Sequence, residues 1–525
     1  MNMNPVRDDK RYEGSAASAR PTEAPGALPI SNGMKRALYL TTTLPYVNAD
    51  PHIGFALELV QADIYARYRA LQGDDVFFNT GTDEHGLKIY RKALEEGKEP
   101  QLYVDEYAAK FRRLKEKLNL SPEIHFIRTT DPHHKAAAQE MWRRCEKAGD
   151  IYKKKYKGLY CVGDEAFIKE SDLVNGKCPN HPTMDVTEIE EENYFFRLSA
   201  YQEKLLAYLQ QDGVIVPEWR RQEAINFVQG GLEDFSISRD KSRMSWGIPV
   251  PDDDNQVMYV WFDALTNYIS TLGWPRHAGA FSGGGTEDLF EKFWVHGDTL
   301  QLAGKDQVRF QSIMWQAMLM SAGLPTTKKI IYHGFITSGG QKMSKSIGNV
   351  IDPIELVDEY NRIEANGAEI LRWFLARHTA WFGDSDVTVD MYKTAYNADL
   401  ANGLGNLVSR VMKMASTHLT KSVTQREDLP HDSYHKGFRE FDLHWCSGWV
   451  WDYITDADRR IQIEKPFSAI KTDPLQAIKS IEFLASRLLT ISWLLKPFMP
   501  ETAAEIEQCV MENRMPTKSL FPRKE

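Results

Sequence analysis

The sequence predicts an α/β protein whose parallel sheet is interrupted by an inserted subdomain and followed by an all-α domain. Three observations support this fold class: a strand–helix–strand pattern close to residue 40, a second such alternation after residue 235, and helical spacing of apolar residues from about residue 396. The chain has 525 residues, of which 42% are hydrophobic. Because a single core stops growing at about 250–300 residues, at least two folded domains are expected.

The first strand–helix–strand pattern begins with the apolar, β-branched residues 37–44, which predict a buried strand. Residues 56–71 carry apolar side chains at helical spacing, and Gly73 follows them as a stop signal. Residues 76–78 predict a second strand that leads into a polar block at residues 81–86. A strand, a helix and a strand at this spacing form a βαβ unit, so the sheet is predicted to be parallel.

The alternation returns with predicted strands at residues 258–262, 300–303 and 329–336, and with a predicted helix over residues 306–322. In open parallel sheets, ligands bind beyond the carboxyl ends of the strands. The polar clusters of this sequence follow its predicted strands. The functional site is therefore expected at that edge of the sheet.

The rest of the chain divides by composition. Residues 156–235 break the alternation with two cysteines, several turns and an acidic run at 188–192, which indicates an insertion. The predicted segments are a flexible N-terminal extension (1–35), the two halves of the α/β domain (36–155 and 236–350), the inserted subdomain (156–235), a linker region (351–395) and the helical domain (396–525).

Composition also predicts the compartment. The N-terminal residues lack the apolar core of a secretory signal, and no apolar run reaches the roughly 18 residues of a membrane span. The five cysteines are scattered and odd in number, which suits a reducing compartment. A cytoplasmic protein without membrane contact is therefore expected. The net charge of −9 argues against a protein coated with nucleic acid, although basic runs at 112–117 and 153–157 allow a local footprint.

Two short segments carry the strongest chemical signal. Residues 45–54, Pro-Tyr-Val-Asn-Ala-Asp-Pro-His-Ile-Gly, follow a predicted strand and open a helix, whose N-terminus attracts phosphate. Residues 342–346, Lys-Met-Ser-Lys-Ser, follow two glycines and place two lysines three residues apart. Taken singly, His52 is most simply a capping or core histidine, and Lys342 and Lys345 belong to a surface loop. Together they indicate a site that stabilises charge on phosphate.

These two segments resemble the signatures of the class I aminoacyl-tRNA synthetases, which read His-Ile-Gly-His and Lys-Met-Ser-Lys-Ser. Residues 43–48, 81–86, 259–264, 304–306 and 404–407 resemble, in order, the blocks of the methionyl-tRNA synthetases. The resemblance implies a Rossmann-like catalytic domain, a connective insertion, a stem-contact linker and an α-helical anticodon-binding domain. It also implies a methionine–tRNA ligase that uses ATP with Mg²⁺ and acts on tRNA(Met), and a monomer is expected.

The resemblance assigns roles to individual residues. It implies catalytic roles for His52, Lys342 and Lys345. The positions that match the family's ATP site are His52, Gly54, Asp306, Lys342, Ser344 and Lys345. Those that match its methionine pocket are Leu44, Tyr46, Asp83, Trp261, Ala264, Tyr268 and Gln311. A thioether packs well on aromatic faces, and a carboxylate can bind an α-ammonium group, so these residue types suit methionine.

Two further groups match the family more loosely. Asn406 and Arg410 lie one helical turn apart and, with Phe467, match the anticodon site; such side chains bind the edges and faces of unpaired bases. Cys161, Asp164, Cys178 and His181 have the spacing of a zinc knuckle, with aspartate at a position where cysteine is usual. Zn²⁺ at these four residues is one interpretation, and a knuckle-shaped turn without metal is the other.

Several positions depart from the family pattern. Phe55 replaces the second histidine of the first signature and cannot hydrogen-bond to phosphate. Gln301 and Gln311 replace histidines, Gln307 stands at an apolar position, and Asp458 and Phe467 stand where Asn and Trp are usual. Two alternatives to a methionine ligase follow: a paralogue that activates another amino acid, favoured by Gln307 and Gln311, and a tRNA-binding protein without efficient ligase activity, favoured by Phe55.

Overall fold

The computed structural model describes residues 35–162, 166–168, 170–179, 182–276, 288–343, 348–427 and 432–524. The predicted N-terminal extension lies almost entirely outside these residues. The strands, in chain order, are β1 (Ala37–Thr41), β2 (Asp75–Thr82), β3 (His125–Arg128), β4 (Ile151–Cys161), β5 (Ala166–Ile168), β6 (Val186–Phe196), β7 (Ile215–Val216), β8 (Phe235–Ser236), β9 (Ser238–Asp240), β10 (Pro249–Val250), β11 (Asp253–Met258), β12 (Asp298–Gly304), β13 (Lys329–His333), β14 (Ile336–Ser338), β15 (Gln341–Lys342) and β16 (Ser385–Asp386).

The α-helices are α1 (Ile53–Leu71), α2 (Leu87–Glu95), α3 (Pro100–Lys117), α4 (Pro132–Lys147), α5 (Gln202–Leu209), α6 (Glu218–Gln229), α7 (Val260–Leu265), α8 (Asn267–Ser270), α9 (Trp315–Ser321), α10 (Pro353–Asn361), α11 (Gly367–Arg377), α12 (Val389–Ala395), α13 (Asn406–His418), α14 (Ser433–Arg439), α15 (Leu443–Glu464), α16 (Pro466–Ala469), α17 (Pro474–Leu495) and α18 (Pro500–Met511). Short 3₁₀ turns lie at Glu170–Asp172, Leu198–Tyr201 and Lys305–Gln307, and π-helical turns at Phe290–His296, Phe310–Met314 and Tyr396–Gly405. None of the helices in this part of the chain is long and apolar enough to cross a membrane.

A six-stranded sheet with the order β3-β2-β1-β12-β13-β7 forms the centre of the α/β region, and all its pairings are parallel. The predicted α/β class with a parallel sheet is therefore confirmed. Strand β7 comes from residues that the sequence assigned to the insertion. It pairs with β13 through Ile330 and Ile331, so part of the 156–235 segment returns to the edge of the central sheet.

Two predicted strands are wrong in detail. The predicted strand 258–262 is instead the last residue of β11 followed by helix α7, and β11 belongs to a separate antiparallel sheet. A short buried apolar run cannot be distinguished from a buried helix by periodicity alone. The predicted strand 329–336 divides at Gly334, where the chain passes so close to residue 383 that a Cβ atom would lie 2.0 Å from the Gly383 carbonyl oxygen. Residues beyond this crossing pair with β16.

The inserted residues form an antiparallel sheet with the order β5-β4-β6-β8. Its long pair, β4 and β6, sets the basic run at 153–157 against the acidic run at 188–192: Lys155 lies opposite Glu192, and Lys157 lies opposite Glu190. Opposite charges on facing strands stabilise the pairing modestly. Because this basic run faces carboxylates, it does not provide the local footprint for nucleic acid that the sequence left open.

From residue 396 onward the described chain is helical, as predicted, and helices α13, α15, α17 and α18 pack into a bundle. Helix α1 connects this bundle with the central sheet. Its Asp63 is buried and lies 2.7 Å from Arg67 and 2.7 Å from Arg372, a fully buried residue of α11. Arg372 also donates to the carbonyls of Pro497 and Phe498, at 2.9 and 2.8 Å.

Burial alone would raise the pKa of the Asp63 carboxyl, but the charges of Arg372 and Arg67 outweigh it and hold that pKa below its ordinary value. The carboxylate is therefore ionised inside the protein and depends on its partners. This ion pair joins α1, α11 and the segment before α18 in one buried contact.

We expect Arg372→Leu to lower the free energy of unfolding by about 3–5 kcal/mol, because it leaves Asp63 buried with one compensating charge fewer. Denaturant titration measures this change. The double variant Asp63→Asn/Arg372→Leu should recover much of the loss, since the side chain at position 63 then carries no charge. A single variant within about 1 kcal/mol of the wild type would contradict the role given to this pair.

Candidate active site

A cavity of about 600 Å³ opens beyond the carboxyl ends of β1, β12 and β13. Its walls come from the segment after β1, the first two turns of α1, Asp83 after β2, helices α7 and α8, and the segments that follow β12 and β13. This is the edge at which ligands bind in open parallel sheets.

Helix α1 begins at this cavity. His52 is its N-cap residue, and the Nδ1 atom of His52 accepts a hydrogen bond from the Gly54 backbone N–H at 3.1 Å. In a neutral imidazole that accepts at Nδ1, the proton is on Nε2, which can donate to a ligand. The capping role and a ligand-binding role therefore use different nitrogens. Gly54 is required here because a Cβ atom would lie 2.8 Å from the His52 ring.

Phe55, the departure from the signature, packs against His52. The two ring centroids are 4.4 Å apart, and on its other side Phe55 meets Phe111 edge-on at 5.4 Å. Phe55 therefore restricts the imidazole ring by packing, although it offers no hydrogen bond of its own.

Asp83 is held beside Tyr46 by the backbone. The Asp83 N–H donates to the Pro45 carbonyl at 3.0 Å, and the Val47 N–H donates to the Asp83 carbonyl at 3.2 Å. The next residue, Glu84, points into the protein, where Arg128 donates to both its oxygens at 2.6 and 2.8 Å. Of these neighbouring carboxylates, Asp83 lines the cavity and Glu84 fixes the turn.

Aromatic side chains form the wall opposite α1. Trp261 of α7 stacks on Phe310 with centroids 3.8 Å apart, and Tyr268 of α8 is almost fully buried. The Nε2 atom of Gln311 donates to the Tyr268 hydroxyl at 2.5 Å. Gln311 therefore reaches the cavity through Tyr268, and the sequence did not indicate this indirect contact.

Asp263, on the opposite face of α7, anchors this wall. Its two carboxylate oxygens lie 2.7 Å from His85 Nδ1 and 2.8 Å from His134 Nε2. Burial disfavours the charged carboxylate, but the two histidines outweigh burial, and the pKa of Asp263 lies below its ordinary value. The contact fixes α7 against the 81–86 block that carries Asp83.

Sequence reasoning missed a second buried pair, Glu58 and His333, which lines the cavity. His333 Nε2 lies 2.8 Å from Glu58 Oε2, and His333 Nδ1 lies 2.7 Å from the Gly334 carbonyl oxygen. Both ring nitrogens face acceptors, which suits an imidazolium. Burial opposes that charge, but the Glu58 carboxylate prevails and raises the pKa of His333. No local signal reveals this pair, because its members are 275 residues apart.

Most of the residues predicted for the ATP and methionine sites meet at the cavity. Those that line it are Leu44, Tyr46, His52, Gly54, Asp83, Trp261, Ala264, Tyr268 and Asp306. Gln307 also lines it and donates to Asp306 at 3.0 Å. Gln301 does not, because it accepts a hydrogen bond from Thr327 inside the protein.

The structure describes only the first two residues, Lys342 and Met343, of the second signature at 342–346. The backbone of Lys342 pairs with Thr337 in the small sheet formed by β14, β15 and β16, and Met343 lines the cavity. The signature therefore starts at the cavity. Ser344 and Lys345 lie outside the described residues.

The residues matched to the anticodon site lie in the helical bundle. Asn406 is exposed on α13, and Phe467 of α16 is 53% exposed. Arg410 lies 2.5 Å from Asp458 of α15. Arg410 is thus paired with Asp458 within the protein. The family usually has asparagine at the position of Asp458.

Of the four residues matched to a zinc knuckle, Cys161 ends β4 and Cys178 directly follows the bridge between Val174 and Lys177, and both cysteines are buried. Asp164 and His181 lie outside the described residues. Among the described residues, no three His, Cys, Asp or Glu side chains form a group that could hold a metal ion. Zinc at this position stays a prediction.

Three features of this chain are typical of a class I aminoacyl-tRNA synthetase: the parallel sheet, the helix N-terminus at His52 and the adjoining loop at Met343. The family described as "tRNA synthetases class I (M)" matches residues 38–190 and 183–412. The chain belongs to this family, and it is an aminoacyl-tRNA ligase.

Individual relatives agree with this assignment. A methionine–tRNA ligase of Brucella suis is 39% identical over 486 residues, which cover 89% of this chain and 90% of the relative. One of Thermotoga maritima is 38% identical over 499 residues, which cover 91% of this chain and 76% of the relative. The structure of Mycobacterium tuberculosis methionyl-tRNA synthetase in complex with methionyl-adenylate is similar, with a TM-score of 0.83, 35% identity and coverage of 93% and 100%.

The two nitrogens of His52 can be tested separately. Asparagine is a good N-cap residue, so His52→Asn should keep the helix cap while removing the Nε2 donor. We expect adenylation to slow about 10- to 150-fold with little change in melting temperature, as for a lost hydrogen bond to a charged group. His52→Ala should slow it similarly and also cost about 1 kcal/mol of stability. Equal adenylation rates in the wild type and His52→Asn would contradict the ligand-binding role.

Proposed function

We propose that this chain is a methionine–tRNA ligase, which activates methionine with ATP and transfers it to tRNA. The observation that carries the proposal is one cavity that combines an aromatic wall, a carboxylate and a phosphate-attracting helix N-terminus. The aromatic wall of Trp261 and Tyr268 suits a thioether, and the Asp83 carboxylate suits an α-ammonium group.

In the first step, a carboxylate oxygen of methionine attacks the α-phosphorus of ATP, and the bond to the β-phosphate oxygen breaks. Methionyl-adenylate forms and pyrophosphate leaves. His52 donates a hydrogen bond to a phosphate oxygen from Nε2, and the N-terminus of α1 adds its partial positive charge. Lys342 and Lys345 stabilise the leaving pyrophosphate. Mg²⁺ that accompanies ATP would neutralise part of the phosphate charge.

In the second step, a hydroxyl of the terminal tRNA ribose attacks the carbonyl carbon of the adenylate. The ester bond to tRNA forms, the carbonyl–phosphate bond breaks, and AMP leaves with the displaced electron pair while the hydroxyl proton is released. Gly54 and Asp306, which line the cavity, are the proposed contacts of the nucleotide. The role of the protein in this step is chiefly to position the reacting groups.

The helical bundle would bind the anticodon of tRNA(Met) through Asn406, Arg410 and Phe467. An arginine and an exposed aromatic ring can bind unpaired bases by hydrogen bonding and stacking. The pair between Arg410 and Asp458 would have to open or turn toward the RNA. We further propose a cytoplasmic monomer and retain the domain boundaries given above as predictions.

The alternative amino acid substrate loses its main support in the structure. Of the two glutamines that suggested it, Gln311 does not line the cavity and instead donates a hydrogen bond to the Tyr268 hydroxyl. Gln307 lines the cavity but is engaged with Asp306. The second alternative, tRNA binding without ligase activity, has no observation in its favour among the relatives above.

Pyrophosphate exchange with each of the twenty amino acids tests the proposal. We expect methionine alone to support rapid exchange. Asp83→Asn, which keeps the shape of the side chain and removes its charge, should raise the KM for methionine about 10- to 150-fold and leave the KM for ATP nearly unchanged. Faster exchange with another amino acid would establish a different substrate, and exchange with none would refute ligase activity.

A further inference from the structure

A small recess adjoins the active-site cavity where the inserted sheet meets the catalytic region. Gly86, Leu87, Tyr160 and Arg243 are among the residues that line it, and Val260 lines both the recess and the cavity. The recess encloses about 20 Å³, which is room for little more than a water molecule. The notable feature of the recess is the set of charged side chains around it.

Arginines dominate these charges. Arg239 is buried between Tyr160 and Tyr259, with its guanidinium 5.5 and 4.4 Å from the two ring centroids. Arg243 lies beside Tyr160. Burial is the main cause that lowers the pKa of Arg243; the charge of Tyr160 opposes this change, and the charge of Arg91 adds to it. A partly buried guanidinium is stabilised when an anion binds beside it.

One carboxylate balances part of this charge. Glu191 is the only acidic residue of the described chain among those that line the recess, and it forms an ion pair with Arg243. Lys88, which follows the lining residue Leu87, adds a further cation, with Nζ 3.0 Å from the side-chain amide of Asn48. Among the residues that line the recess, two arginines therefore stand against one carboxylate.

Catalysis requires a polyanion at the mouth of the cavity. In the proposed second step, the terminal ribose of tRNA must enter the cavity, and the preceding unpaired nucleotides with their phosphates must then lie along its mouth. The lysine run at 153–157 is less suitable for them, because β6 places glutamates opposite it. Arginine binds phosphate through two parallel N–H donors, and single-stranded RNA is commonly held by positively charged grooves with aromatic side chains.

We infer that Arg243 binds a phosphate of the single-stranded 3′ end of tRNA, and that Glu191 competes with the RNA for Arg243. The inference rests on the proposed function. Because Glu191 occupies the guanidinium in the absence of RNA, a phosphate must displace it. Removing the arginine and removing the glutamate therefore have opposite effects on tRNA binding.

The main variant is Arg243→Gln, assayed with a methionine tRNA transcript. We expect its Kd and KM for tRNA to rise about tenfold, as for one lost contact between charged groups. The slope of log Kd against log salt should fall by about 0.7, the change expected for one phosphate of a single strand. Methionine-dependent pyrophosphate exchange, which needs no tRNA, should stay near the wild-type rate.

Three further variants test whether the effect on tRNA binding comes from the charge of Arg243 and its competition with Glu191. Arg243→Lys keeps the charge and should retain most of the affinity for tRNA, which a purely structural role would not predict. Glu191→Gln should lower the Kd for tRNA severalfold. Lys92→Gln is the matched control, because Lys92 is a cation on the same helix as Arg91 but pairs with Glu95. It should leave both tRNA binding and exchange unchanged.

Binding of a tRNA that lacks its last three nucleotides tests whether Arg243 contacts the 3′ end. If Arg243 touches the 3′ end, the tenfold difference between the wild type and Arg243→Gln disappears with this RNA. A difference that persists, or an altered KM for ATP in Arg243→Gln, would overturn the inference by placing the contact elsewhere. Unchanged tRNA binding in both Arg243→Gln and Glu191→Gln would also overturn it. Absence of methionine-dependent exchange in the wild type would instead refute the proposed function.

Discussion

Strand β1 pairs in parallel with β2 on one side and with β12 on the other, and this pairing determines where the functional groups meet. Because parallel strands end at the same edge of a sheet, the segments that follow these three strands converge. They bring His52 and Asp83 to one cavity with Asp306, which lies more than two hundred residues later in the chain. The helix dipole of α1 is directed at the same place.

Buried contacts between carboxylates and histidines hold the walls of that cavity in position. Asp263 joins α7 to the 81–86 block through His85, and Glu58 joins α1 to the end of β13 through His333. Removing one member of such a pair is costly because a buried charge is left without compensation. The polar interior of this protein therefore preorganises its site, while Trp261 and Tyr268 provide the apolar surface on which a side chain can pack. Such preorganisation is what efficient positioning of reactants needs.

Sequence reasoning predicted the parallel sheet, the helical bundle and nine of the residues that line the cavity, because strand ends, helix starts and the resemblance each mark residues that are local in sequence. It failed where tertiary context decides. Residues 260–262 of the predicted strand 258–262 belong to helix α7, which packs beside the cavity and not within the sheet. Glu58 and His333 carried no signal, since their pairing depends on the completed fold. The resemblance matched Gln311 to the methionine pocket, but its side chain donates a hydrogen bond to the Tyr268 hydroxyl and does not line the cavity itself.

The arrangement of the cavity leads us to expect methionyl-adenylate with its amino acid and phosphate ends at opposite walls. A crystal structure with a non-hydrolysable methionyl-adenylate analogue is the decisive measurement. We expect the α-ammonium group beside Asp83, the thioether against Trp261 and Tyr268, and the phosphate mimic within hydrogen-bond distance of His52 Nε2. An analogue bound with its side chain directed toward His52, or outside the cavity, would show that the roles proposed for Asp83, Trp261, Tyr268 and His52 are wrong.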